Sequence, residues 1–245
     1  MSEEINDLIA TVDKWFHTIE VAPGVFTPGV QDPSKRLHLM GIPENLAGKR
    51  VLDIGPMEGY YSFICEERGA EVTAADIQPS PGLRIASKIK NSSIKILEMS
   101  VYELDRKTLG TFDLILFMGV FYHLRHPLLA LDCMYDLVDD LLIVESQVCD
   151  RWFVDEGGRT TKLEDYDIRL KSLPFAQFYP RNELNKDGSN WWSPNEIGLK
   201  AMLESSGFSA QLHSREKARA VFHCRKQFRP KSHEFTVAKM MTPGS

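Results

Sequence analysis

The chain has few cysteines, no long apolar run and no surplus of basic charge, and each absence narrows what it can be. Cys65, Cys133, Cys149 and Cys224 form no C-x-x-C pair, and no histidine stands at zinc-ligand spacing from them. They read as reduced, buried thiols, so neither a disulfide framework nor a bound metal is expected. No stretch approaches the roughly 18 apolar residues of a membrane helix. The first residues, Met1 to Asn6, are acidic and lack an apolar signal core, which points to a cytoplasmic protein with no membrane partner. A formal net charge of −5 gives no overall footprint for nucleic acid and leaves only a local patch for such a partner. Repeats and low-complexity tracts are missing too. What remains is an ordinary globular composition, 43% hydrophobic over 245 residues, which suits one α/β domain with insertions.

What is present is a regular alternation. Residues 4–16 carry Ile5, Leu8, Ile9, Val12, Trp15 and Phe16 at helical spacing and predict a helix. Two Pro-Gly pairs, Pro23-Gly24 and Pro28-Gly29, then mark turns in a lead-in that lies outside the core. Strands are expected at 50–54, 71–75, 94–98, 112–117 and 141–145, with helices at 60–68, 82–90 and 127–138 between them. Such alternation implies a parallel sheet with helices on both faces. The rhythm breaks at Ser146. Residues 147–193 are too long for a plain connector and are expected to be an insertion over the active-site edge. A helix at 194–206 and an antiparallel strand pair at 209–213 and 218–225 close the fold, and a loose tail follows from Pro230.

The first strand runs into Val51-Leu-Asp-Ile-Gly-Pro-Met-Glu-Gly59, a buried strand, a glycine turn and a helix start. In an open α/β sheet, that is where a nucleotide-like ligand binds. Gly55, Pro56 and Gly59 allow close backbone approach. The carboxylates Asp53 and Glu58 disfavour a pyrophosphate, and Met57 stands where a dinucleotide motif has its middle glycine. A cationic ligand fits better, and S-adenosyl-L-methionine, with its sulfonium and ammonium groups, is the obvious candidate. Asp76, at the end of the second strand, can accept both hydroxyls of a ribose. Val101 and Met118 can sandwich an adenine by apolar contact.

Taken together, Val51–Gly59, Asp76, Ser100-Val101 and the run Phe117-Met-Gly-Val-Phe-Tyr-His-Leu-Arg-His-Pro127 resemble class I S-adenosylmethionine-dependent methyltransferases. More narrowly, they are similar to the branch that includes the tRNA wobble-uridine carboxymethyltransferases. The resemblance spans roughly residues 15–226. It implies that Gly55, Asp76 and Ile77 hold the amino-acid end and ribose of the cofactor. By the same resemblance, Val101 and Tyr102 flank the adenine, Met118 lines the pocket and Lys35 is a cofactor-binding lysine. Tyr122 and Arg219 match the pair that grips the extra carboxylate of carboxy-S-adenosylmethionine in those enzymes. The lead-in departs from that pattern: Trp15-Phe-His-Thr-Ile19 lacks the expected lysine, and no tryptophan follows Thr27. Ordinary S-adenosylmethionine is therefore the expected cofactor, with Tyr122 and Arg219 facing the substrate or the methionine carboxylate.

Methyl transfer to oxygen needs a general base. His123 is the candidate, set against an orienting or core histidine. Among the other catalytic candidates, His17 lies in a lead-in that can fold over the cofactor as a lid and touch substrate. Glu145 can pair with a substrate cation, set against a helix cap or salt bridge. Trp191 and Trp192 are candidates for an acceptor-pocket wall or a hydrophobic staple. The basic run from Arg215 to Lys231 reads as a solvated strand pair and tail, with a nucleic-acid contact as the sharper alternative.

The expected fold is a Rossmann-like, mostly parallel sheet flanked by helices, with an antiparallel C-terminal strand pair. Residues 1–49 form an N-terminal helix and lead-in, or lid, and 50–146 the cofactor-binding core. Residues 147–193 are the insertion, 194–229 the closing helix and strand pair, and 230–245 the tail. The expected activity is methylation of a small-molecule acceptor, oxygen favoured slightly over nitrogen. A tRNA-modifying transferase and a non-catalytic cofactor-binding regulator are the alternatives.

Overall fold

The computed structural model describes residues 2–229; the expected tail lies outside these described residues. Helix α1 (Ser2–Ala10) is shorter than its hydrophobic spacing predicts. The Thr11 hydroxyl donates to the Leu8 carbonyl at 2.6 Å, and the chain folds back so that the Trp15 indole N–H donates to Ile9 O at 3.1 Å. Both bonds cap carbonyls that a longer helix would use itself.

Seven strands make the central sheet: β1 (Arg50–Ile54), β2 (Glu71–Asp76), β3 (Lys95–Glu98), β4 (Phe112–Met118), β5 (Val138–Gln147), β6 (Phe208–Glu216) and β7 (Arg219–Lys226). Their spatial order is β6-β7-β5-β4-β1-β2-β3, parallel except that β7 pairs antiparallel with both β5 and β6. The chain builds outward on one side of β1 and then jumps to β4 on the other. The crevice above the β1–β4 boundary is therefore a topological switch point.

Alternating side chains divide the interior into two cores. Leu52, Ile115 and Phe117 pack on one face, and Val51, Leu114 and Leu116 on the other. Helices α2 (Tyr60–Glu67), α3 (Pro81–Lys90), α4 (Pro127–Leu137) and α5 (Glu196–Ser205) cover the faces. Ser80 caps α3 by accepting from Leu83 N, and Asn195 caps α5 by accepting from Gly198 N.

The lead-in is not the core-free connector its turns suggest. Trp15, Ile19 and Val21 are each 3% exposed and belong to the core shared with Phe63 and Leu83. Trp15 fits the helical spacing of residues 4–16, but Ile19 and Val21, ahead of the first Pro-Gly pair, follow no period and bury one at a time. The lead-in also crosses itself. Thr18 N donates to Gln31 O and Gln31 N to Phe16 O. A Cβ at Gly29 would lie 2.0 Å from the His17 carbonyl carbon, so no other residue fits there without displacing backbone. Between β5 and α5 lies the segment expected to be an insertion. It holds a hairpin (Trp152–Val154 with Thr160–Lys162), a strand Ala176–Phe178 paired with Trp192–Pro194, and a small core of Val154, Tyr179 and Leu184.

Candidate functional site

Strand ends place the site. β1 stops at Ile54, and Gly55 turns in the left-handed region at φ +66, where an added Cβ would come within 2.5 Å of Val120 Cγ2. Met57 also has positive φ (52) without being glycine. Its carbonyl accepts from Ser80 Oγ at 3.0 Å, and its side chain points outward, 41% exposed. The loop therefore tolerates a side chain by turning it away. Glu58 does not present charge to a ligand, as the sequence suggested. Its buried carboxylate accepts from the backbone N–H groups of Phe16 at 2.9 Å and His17 at 3.1 Å, which clamps the lead-in onto the loop.

Asp53 is buried beneath the loop and accepts from Ser62 Oγ at 2.6 Å. Burial pushes its carboxyl up to about 7; the Ser62 hydrogen bond opposes this and the charge of Asp76 adds to it. Asp76 is half-buried at the end of β2, accepts from Gln78 N at 2.8 Å, and is raised by desolvation too. Among the described residues no cation forms an ion pair with either carboxylate, so burial works against the charge of both. Val101 is buried, Tyr102 and Met118 are half-buried, and Ile77 is 73% exposed. The Tyr102 hydroxyl accepts from His126 N at 3.1 Å. Lys35 is 78% exposed and pairs with Asp32 at 3.3 Å.

A charged corner lies at the far end of β5. Register brings it together: Met118 pairs with Glu145, and Arg219, the first residue of β7, pairs with Gln147. Glu145 is 5% exposed, with Arg36 Nη2 3.5 Å from one oxygen and Arg219 Nη1 3.4 Å from the other. Arg219 Nη1 also donates to the Tyr122 hydroxyl at 2.8 Å, and its guanidinium lies 4.7 Å over the Tyr122 ring. Arg36, which the sequence reading passed over for its neighbour Lys35, reaches Glu216 as well, at 2.8 Å.

Beside Tyr122, His123 Nδ1 lies 2.9 Å from Ser189 Oγ, and Ser189 Oγ donates to Asp187 Oδ1 at 2.6 Å. Burial lowers the His123 pKa from its ordinary 6.5, while the charge of Asp187 raises it. Trp191 N donates to Tyr122 O at 2.8 Å, the Trp191 and Phe178 rings stack at 6.0 Å, and the Arg125 guanidinium sits 4.3 Å over Trp191. His17 is held elsewhere: its Nδ1 is 3.3 Å from Glu58, and burial lowers its pKa against the pull of that carboxylate. The structure thus joins His123, Tyr122, Glu145, Arg219 and Trp191 in one region and leaves His17 and Lys35 apart. Ser189, Asp187, Val120 and Arg36 were missed. They meet their partners across long sequence separations, and only the turn-forming Asp187-Gly188-Ser189 gave a local signal.

A family model described as a methyltransferase domain matches residues 30–211. The chain belongs to that family. It therefore carries a methyltransferase domain of the S-adenosylmethionine-dependent class. Over 178 residues it is 36% identical to a tRNA U34 carboxymethyltransferase of Pseudomonas fluorescens, covering 67% of this chain and 47% of that protein. A tRNA U34 carboxymethyltransferase of Colwellia psychrerythraea is 29% identical over 170 residues, covering 67% and 46%. The chain thus spans about half the length of the curated relatives it matches. Among solved structures, it is similar to the N-terminal domain of EvdMO1 with SAH bound. The TM-score is 0.61 at 19% identity, over 92% of this chain and 95% of that one. A Burkholderia thailandensis 1,6-didemethyltoxoflavin-N1-methyltransferase gives 0.51 at 19% identity, covering 74% and 72%. These structural likenesses show the methyltransferase fold. Asp76, half-buried at the end of β2, offers a carboxylate whose chemistry fits the hydroxyls of the family's cofactor, while Gly55 lies against Val120 and Asp53 is buried beneath the loop on Ser62.

Proposed function

We propose that the chain methylates an oxygen of a small-molecule acceptor lying between the end of β5 and the insertion, with His123 as general base. The observation that carries this reading is the His123–Ser189–Asp187 chain. Ser189 gives its proton to Asp187, so its lone pair accepts from His123 Nδ1–H, and Nε2 becomes the basic nitrogen. The lowered pKa keeps the imidazole neutral near pH 7. S-adenosylmethionine, when bound, supplies an electrophilic methyl group. The protein's own part is to hold the acceptor hydroxyl and take its proton at Nε2. Trp191, Trp192 and Phe178 wall the acceptor and keep water out, and Asp76 binds the ribose.

Glu145 supports ordinary S-adenosylmethionine over its carboxylated form. A cofactor carboxylate reaching for Arg219 would meet a buried carboxylate already 3.4 Å from that guanidinium. The relatives favour RNA modification as a second reading. Against it, the arginines of the basic run carry carboxylate partners: Arg215 with Glu196, Arg219 with Glu145, Arg225 with Asp140 and Arg229 with Asp132. The test is transfer of labelled methyl to a metabolite mixture and to bulk tRNA, using wild-type and His123→Asn protein. Label in the small-molecule fraction, lost in the variant, is expected. Label confined to tRNA, or hundredfold tighter binding of the carboxylated cofactor, overturns the proposal.

A further inference from the structure

The insertion contains a cavity of about 510 Å³ that the transfer chemistry does not use. The rings of Phe153, Tyr166, Phe178 and Tyr179 line it. Tyr166 stands 69% exposed at the surface, and the Tyr179 side chain is fully buried. The cavity also has a carboxylate wall. Glu183 lines it with a side chain only 4% exposed; its Oε2 accepts from Arg181 N at 3.0 Å, and its Oε1 has no hydrogen-bond partner. The nearest cation to Oε1 is Arg181 Nε at 3.6 Å, and that guanidinium is shared with Glu156 at 3.5 Å. Asp155, also lining the cavity, takes Arg159 at 3.1 Å. Three carboxylates against two guanidiniums leave one negative charge in excess. That excess favours a cationic occupant over a neutral or anionic one.

We infer that this cavity binds an organic ammonium group, with the aromatic residues holding its carbon body and the excess negative charge of the wall, Glu183 included, attracting its cation. Aromatic faces add attraction for the cation, and the acidic wall repels anions. Phe178 belongs to both the cavity and the Trp191–Trp192 cluster: its ring centroid is 4.8 Å from that of Trp192 and 6.0 Å from that of Trp191. An occupant therefore reaches the wall of the acceptor region, so the acceptor carries an amine remote from the oxygen it presents to His123. That last step rests on the reading of the insertion as the acceptor's cover.

The test is calorimetric titration of the full chain with phenethylammonium, in saturating S-adenosylhomocysteine to block the cofactor site. 2-Phenylethanol and phenylacetate serve as neutral and anionic controls. One-to-one binding of the amine, roughly tenfold or more tighter than the alcohol, is expected, with a similar loss in Glu183→Gln. Equal binding of the alcohol or the acid, or full retention in Glu183→Gln, overturns the proposal. If Glu183→Gln does not fold, Tyr166→Ala replaces it, because that ring is exposed; unchanged amine affinity in it is equally fatal. Cofactor binding and methyl transfer are measured on the same samples. Amine binding that persists while transfer fails removes the methylation reading and leaves the cavity's ligand standing.

Discussion

The lead-in (residues 15–31) and the insertion (147–193) lie outside the central sheet and are attached in opposite ways. The lead-in has little regular structure, only the short pair Glu20–Ala22 and Val25–Phe26, yet it is stitched to the body throughout. Glu58 takes two of its N–H groups, Trp15, Ile19 and Val21 sit in the body's core, and the Thr27 hydroxyl holds the segment to itself by donating to His17 O and accepting from Ile19 N. The insertion has more strands and a small core of its own, and it meets the body through hydrogen bonds at its edges: Asp150 takes Glu196 N, and the Asn195 side chain bonds Leu173 O and Phe175 N. Trp191 N binds Tyr122 O, Cys149 N binds Pro194 O, and His123 reaches Ser189. One segment is part of the cofactor half's fold. The other is packed around a small core of its own, and in the proposed reaction its link to the chemistry runs through one histidine.

That contrast breaks most sharply at His123. His123→Asn is expected to lower kcat by about 10² to 10⁴ while cofactor affinity, set on the other side, stays unchanged in titration. Asp187→Asn, which leaves the imidazole in place, should cost about tenfold and move the pH profile. The base works only when deprotonated, so the rate falls as pH drops through the His123 pKa, which burial has already placed below 6.5. Removing the Asp187 charge, which raises that pKa, shifts the acid limb further down. A profile that does not move leaves Asp187 a loop residue without a catalytic link.

The cofactor half should respond in the reverse sense. Asp76→Ala removes the acceptor of two hydroxyls, each bond to a charged group being worth about 1.5–3 kcal/mol, and should weaken cofactor binding about a hundredfold. Intact affinity would dismantle the whole site assignment. Glu58→Gln keeps one acceptor oxygen and leaves one N–H of the lead-in unsatisfied, for a loss of about 1–3 kcal/mol in denaturant unfolding. Hydrogen exchange sharpens the comparison: the amides of Phe16 and His17 should exchange only with global unfolding, and those of the insertion sooner.

What could be read from the sequence follows the same divide. The strands themselves and the turn at Gly55 were legible because each is local: a run of apolar residues, and a glycine directly after one. Glu58 was misread because a carboxylate in a ligand loop looks like ligand chemistry. Only the folded lead-in shows the two N–H groups it satisfies. Arg36 and the Ser189–Asp187 relay were invisible for a related reason. Their partners Glu145 and His123 lie far away in the chain, and neither periodicity nor turn chemistry reports contacts at that range.

The smallest effect expected is also the one that tests how the loop recognises charge. Asp53 titrates near 7 in the folded protein against an ordinary 3.8, because it is buried and close to Asp76. A carboxyl whose folded pKa is raised contributes stability that is present at low pH and lost as pH rises from about 4 through about 7. A cationic cofactor reverses the balance by favouring the ionised carboxylate. Binding below pH 7 should therefore release protons, and affinity should climb with pH, by at most about tenfold per unit, before levelling off above 7. Titrations in buffers of different ionisation enthalpy count those protons directly. In Asp53→Asn the release and the slope should both shrink, leaving only the smaller share of Asp76, whose carboxyl is raised too. An affinity independent of pH in the wild-type protein would mean that the buried carboxylate supports the loop through Ser62 alone and plays no part in selecting a cation.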